Sequence, residues 1–180
     1  MRLSAIDIFT GLLAVTTAIQ VWAFIQSEKS FLSVKFAPIV LEAGKQIEIE
    51  LMIHNSGRSE AIVEKFIANL KLNQTLPQIP NYLPNTETVI APPVERDGTT
   101  KITFYPILER GRPATVSEDQ ITDLNLGKIT LYIFGFIRYK DAFTPWGTTT
   151  VGFCATYNPP HGSIPTTWKT CQETSYTYVK

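Results

Sequence analysis

The residues on which chemistry could rest are few: two histidines and two cysteines in 180 residues. His54 precedes an Asn-Ser-Gly run and His161 follows Pro159-Pro160. A zinc site needs paired ligands at close spacing, and the chain has no CxxC, HxxxH or HExxH. Cys154, His161 and Cys171 could be drawn as three ligands, but a disulfide between Cys154 and Cys171 is the simpler reading for a lone pair in an exported domain. Two buried free thiols are the competing reading. No GxSxG elbow, glycine-rich phosphate loop or CxxCH haem motif is present. We therefore expect a non-enzymatic chain with no catalytic residue, no metal and no cofactor.

Two further polar residues lie on the strongest strand pattern. Asp141, in the YKDAF turn, is expected to hydrogen-bond turn amides rather than to act chemically. Arg138, between Phe136 and Tyr139, is expected to form a structural ion pair. Exposed aromatics anchor interfaces. Of those near loops, Tyr82, Trp146 and Trp168 are the candidate interface aromatics.

Composition narrows the class of partner. Sixteen Lys+Arg balance sixteen Asp+Glu, and a neutral chain lacks the basic excess that neutralises nucleic-acid phosphates. With 18% charged and 44% hydrophobic residues the chain is not wholesale disordered.

The N-terminus carries the clearest signal. Ile8–Ile25 is an uncharged run of 18 residues. As a helix it spans roughly 27 Å, close to a bilayer's hydrocarbon thickness. A cleaved signal peptide wants a shorter apolar core and a small-x-small site; Phe24, Ile25 and Gln26 stand where small residues belong. A buried soluble helix is a poorer reading for so long an uncharged run. An uncleaved signal anchor over 1–27 is expected, followed by an extracytoplasmic domain over 28–180.

At 100° per residue Asp7, Gly11, Ala14, Ala18, Val21 and Ile25 form one stripe. Small residues let membrane helices approach closely. Asp7, Thr10, Gly11, Ala14, Thr17 and Ala18 are therefore the expected packing surface for integral membrane partner subunits. Asp7 either caps or snorkels at the boundary, or meets a polar group on a neighbour. Gln20 and Thr16 lie on the opposite side and offer a second contact. Trp22 suits the outer interface. Arg2 ahead of the helix and the cancelling pair Glu28 and Lys29 behind it weakly favour an inside N-terminus. The expected location is the bacterial inner membrane, single-pass, with the C-terminal domain in the periplasm.

Beyond Ser30 the apolar period becomes two. Strands are expected over 31–41, 45–54, 61–72, 101–107, 128–140, 148–157 and 168–179, with brief pairing over 86–90. The central strand is 128–140, apolar on both faces. A helix over 60–70 is the alternative for the third. Asn55-Ser56-Gly57 is expected to turn through positive φ. Residues 73–98 form a proline-rich loop. Ser117 and Gln120 make a capping box that opens a short helix anchored by Ile121 and Leu124 and stopped by Gly127. The fold class is mainly β: one transmembrane helix, then an antiparallel immunoglobulin-like β-sandwich with one short helix.

The segment SEDQITDLNLGKITLYIFGFIRYKDAF followed by GFC, and the HNSG turn at 54–57 followed by Ala61, resemble a group of uncharacterised bacterial membrane-anchored proteins. These have one N-terminal helix and an exported immunoglobulin-like sandwich. The resemblance covers residues 31–171 and implies fold and topology without an activity. The longer proline-rich loop and the threonine-rich tail depart from that pattern.

The expected function is a non-catalytic accessory or structural subunit of a membrane complex (respiratory, photosynthetic or transport). Its helix would pack on partner helices while its domain braces the exported face. The alternative is a free-standing tethered binding module for a ligand, peptide or envelope polymer.

Overall fold

The computed structural model describes residues 5–82, 93–106, 113–142, 144–160 and 165–180, without the side chains of residues 5, 7, 26 and 144–146. The chain is mainly β. Helix α1, Ala5–Ser27, comes first and helix α2, Glu118–Asn125, later. The strands are β1 (Leu32–Phe36), β2 (Ile49–Asn55), β3 (Ala61–Asn73), β4 (Thr99–Phe104), β5 (Thr130–Asp141), β6 (Thr144–Asn158) and β7 (Thr167–Thr170).

Helix α1 is apolar on every side, and its Ile8–Ile25 window buries nothing against the rest of the chain. It is long enough and apolar enough to cross a membrane.

The strands form two antiparallel sheets, β1-β2-β4 and β3-β5-β6-β7. They share one apolar core because each strand turns one apolar face inward. Ile49, Leu51 and Ile53 from the first sheet, with Ile47 just ahead of it, meet Phe66, Leu131, Ile133, Ile137 and Phe153 from the second. Phe66 stacks on Phe153 and meets Phe104 edge-on, while Phe36 packs against Phe153 and Trp168. Such ring pairs contribute about 0.5–1.5 kcal/mol each beyond their buried area.

Strand β3 contains a bulge between Val63 and Lys65. The extra residue moves the inward set from Ala61 and Val63 to Phe66 and Ala68, and all four lie in the core. The inward positions Phe66, Ala68, Leu70 and Leu72 read from sequence stand, and the helical alternative for this segment does not. Strand β5 is central, between β3 and β6. Its inner face carries Leu131, Ile133, Ile137 and Tyr139. Its outer face is covered: Tyr132 and Phe134 form a second cluster with Cys154, Cys171 and Tyr176, over which Leu76 and Tyr82 pack. The start of the proline-rich loop and the tail together roof that sheet.

Helix α2 follows its sequence signals. Ser117 caps it, with Gln120 completing the box, and Leu124 is buried. Gly127 lies at φ 68°. Gly127 N–H donates to Leu124 O and Lys128 N–H to Asp123 O, a Schellman stop.

Three expectations are corrected. The first strand ends at Phe36 rather than Leu41. The 55–57 turn does not use positive φ: among described residues positive φ occurs at Gly44, Asp97 and Gly127. The last strand is only Thr167–Thr170. The chain then leaves the sheet and returns at Val179 opposite Val151. Tyr176 is fully buried on the way, and its hydroxyl donates to Pro77 O at 2.9 Å. The expected pairing over 86–90 lies outside the described residues.

Cys154 and Cys171 form a disulfide, their Cα atoms 5.3 Å apart. It joins β6 to the residue that follows β7, beneath Tyr176. Reduction is expected to cost about 3 kcal/mol by loop-closure entropy and to release the tail. Thermal unfolding with and without reductant checks this, and an unchanged midpoint would show that the tail is held by packing alone.

Candidate functional site at the helix-to-domain joint

Two residues, Glu28 and Lys29, separate α1 from Ser30, which is buried at 4% exposure. Ser30 is held by Asp141, the last residue of β5, itself only 5% exposed. One carboxylate oxygen, Oδ2, accepts three bonds. The donors are Ser30 N–H, Ser30 Oγ at 2.9 Å and Ser59 Oγ at 2.9 Å. Hydrogen bonds to a charged acceptor are about twice as strong as neutral ones, and a buried charge persists only when it is paired or bonded in this way. Tyr139 Oη donates to Ser30 O at 3.1 Å.

A second knot sits beside the first. Asn55, at the end of β2, is fully buried and spends its whole amide. Its Oδ1 accepts from Phe31 N–H and Gly57 N–H, and its Nδ2 donates to Ser59 O and Val94 O. Arg58 N–H donates to Lys29 O at 3.2 Å, and the Arg58 guanidinium lies 3.4 Å from the Glu28 carboxylate. Gly57 lets these segments touch. A Cβ there would fall 2.3 Å from Lys29 O and 2.4 Å from Ser30 Cα. Glycine at 57 is thus demanded by close approach. Asp141 likewise reaches across to the segment that follows α1, a partner its place in the YKDAF turn does not reveal.

On α1 the candidate packing residues stand free. Thr10, Gly11, Ala14, Thr17 and Ala18 are exposed. Thr10 Oγ1 donates to Ile6 O and Thr17 Oγ1 to Leu13 O, both at 2.8 Å. Their donors are satisfied within the helix and require no neighbour. The Asp7 side chain lies outside the described residues. A Cβ on Gly11 would meet nothing within 4 Å.

The aromatic candidates separate. Trp168 is half-buried, between Phe36 and Tyr157, and its indole N–H donates to Ala37 O at 2.8 Å. Tyr82 lies against Phe134 and Phe136. The Trp146 side chain is outside the described residues. Arg138 is exposed, and among the described residues the ion pair on its strand is that of Lys140 with Glu64. His54 is half-buried with Nδ1 3.2 Å from Thr99 Oγ1, and His161 lies outside the described residues. No cluster of three or more potential metal ligands occurs among the described residues. A groove of about 580 Å³ runs along β1, floored by Phe153 and Trp168 and lined by Lys35 and several threonines.

Four phenols are held above the ordinary tyrosine range by burial: Tyr82, Tyr139, Tyr157 and Tyr176. At Tyr139 the Asp141 carboxylate adds to that rise, while the polar groups of Leu32, Thr149 and Ser30 beside the phenol oppose it. The folded protein therefore keeps protons that the unfolded chain releases near pH 10. Stability from these groups is complete below about pH 10 and falls as pH rises through their higher folded values. Thermal midpoints measured across alkaline pH should drop steeply there. A flat profile would refute the contribution.

Compared with known proteins, the chain matches no family model, no curated protein and no solved structure.

Proposed function

We propose that the chain is a non-catalytic accessory subunit of a membrane complex, anchored by α1 and bracing the complex through its β domain. The joint carries this reading. A tether that merely retains a binding module gains from slack, since reach depends on linker length. Here two residues separate helix from domain, and a buried carboxylate with three donors pins the next one. Such stiffness serves a part whose position against its neighbours matters. The bare apolar surface of α1 supports a lipid or helical environment for it.

In this proposal α1 spans the bacterial inner membrane with its N-terminus inside and the domain in the periplasm. The disulfide supports that side, because paired cysteines persist in oxidising compartments. The domain is an immunoglobulin-like sandwich in the manner of the membrane-anchored proteins it resembles. Its strand order supports this, with first, second and fourth strands in one sheet and third, fifth and sixth in the other. The added β7 edge and a disulfide within one sheet are departures.

Mild-detergent purification is expected to yield stoichiometric integral membrane partners. Gly11→Leu and Ala18→Leu should abolish that association while leaving membrane targeting intact, because leucine is as soluble in lipid as alanine but holds helices apart. A Cβ added at Gly11 would meet nothing within 4 Å. Recovery of a clean monomer under several gentle conditions would sink the proposal.

The groove along β1 favours a second reading, a free-standing tethered binding module. Replacing α1 by an unrelated anchor separates the two: the module retains its function, the subunit loses it.

A further inference from the structure

We infer that the end of the domain carrying Phe31, the 56–60 turn and Arg96 rests on the phospholipid head-group surface. The inference builds on the transmembrane reading of α1 and adds a lipid contact made by the domain itself. Chain length forces it. Helix α1 ends at Ser27, and Ser30 is already buried in the domain. Three fully extended residue steps span at most about 11 Å. The true reach is shorter, because Glu28 N–H still donates to Phe24 O and Lys29 O is held by Arg58 N–H. A head-group layer is itself roughly 5–8 Å thick. A domain pinned this close to the end of the hydrocarbon span has no room to stand clear of the lipid.

The residues at that end suit the contact. Phe31 follows the pinned serine directly and is 55% exposed, although its backbone is fixed by Asn55 and Ser56. An aromatic ring at that height fits the interfacial zone, as does Trp22 on the helix below. Arg58 and Arg96 are 60% and 62% exposed and can donate to phosphates. Charge does not drive the contact. Glu28 pairs with Arg58 at 3.4 Å and Asp97 with Arg96 at 3.5 Å, while Glu60 and Glu95 add further negative charge nearby. The contact is therefore set by the short joint and the aromatic ring, and it should hold on zwitterionic lipid and in high salt.

The test is spin-label accessibility in the full-length protein reconstituted into phosphatidylcholine vesicles. Labels are placed singly by Phe31→Cys, Arg58→Cys and Leu126→Cys. The native cysteines are paired, so each variant offers one thiol. Leu126 is exposed at the opposite end of β5, a strand of 12 residues that spans about 36 Å. Collision with a water-soluble nickel chelate should be severalfold lower at positions 31 and 58 than at 126, in low and high salt alike. A Gly-Ser spacer inserted between Glu28 and Lys29 should abolish the difference. Equal accessibility at all three positions, in protein that resists carbonate extraction, would overturn the contact while leaving the anchor intact. Release by carbonate would overturn the anchor and the contact with it.

Discussion

Gly135→Ala is expected to cost the domain a large share of its stability. Gly135 lies on the central strand β5, opposite Ala68 on β3 and Phe153 on β6. A Cβ at that position would fall 1.9 Å from Ile67 O, 2.9 Å from Ile67 C and 2.6 Å from the end of the Phe153 ring. The ring could swing aside, although it would lose its stacking on Phe66. The carbonyl cannot, because it belongs to β3, which pairs with β5 along nearly its whole length. Relief requires the two longest-paired strands of the sheet to separate at their middle. Overpacking alone costs about 1–3 kcal/mol. With backbone displacement added, the loss should exceed about 4 kcal/mol, the range reserved for severe core defects. That is a large share of the 5–15 kcal/mol typical of a domain. Yield of folded protein and the denaturant midpoint check this. A midpoint close to wild type would mean that the sheet absorbs a methyl group here, contrary to the geometry.

Asp141→Ala should rank next. It removes the acceptor of three hydrogen bonds at once and leaves Ser30 N–H, Ser30 Oγ and Ser59 Oγ without it in a buried place. Each buried donor so stranded costs about 1–3 kcal/mol, less where water enters the space vacated. A total of about 3 kcal/mol follows, or roughly 6–12 °C in the thermal midpoint for a chain of this size. Asp141→Asn keeps the shape and one acceptor oxygen, so it should cost less than half as much. Amide exchange at Ser30 should rise in both variants, because the loss is local to the joint before it is global. If Asp141→Ala unfolds at the wild-type temperature with Ser30 still protected, Tyr139 and Asn55 hold the joint without the carboxylate.

The elements most readable from sequence were those whose signal is local. The apolar length of α1, the alternation of Ile47, Ile49, Leu51 and Ile53, and the two-faced apolar pattern of β5 each specify an element and its inward face. The Ser117 capping box and Gly127 bound α2 because caps act within a few residues. Of the two readings open for the lone pair Cys154 and Cys171, disulfide or free thiols, the structure has the disulfide.

The joint was of another kind. Ser30, Asn55, Ser59 and Asp141 are ordinary turn-forming residues in sequence, and they are brought together only when β2, β3 and β5 stack their ends at one pole of the domain. The need for glycine at 57 and 135 was equally invisible, since it arises from the backbone of a distant segment rather than from the residue's own φ. Trp168 looked like a surface anchor until Phe36 and Ala37, more than a hundred residues earlier, closed over it. By itself the sequence determined periodicity, caps and the apolar span, because these depend on neighbours along the chain. Which polar residues are buried, and what they hold, was decided by tertiary contacts, because burial and hydrogen-bond partners depend on neighbours in space.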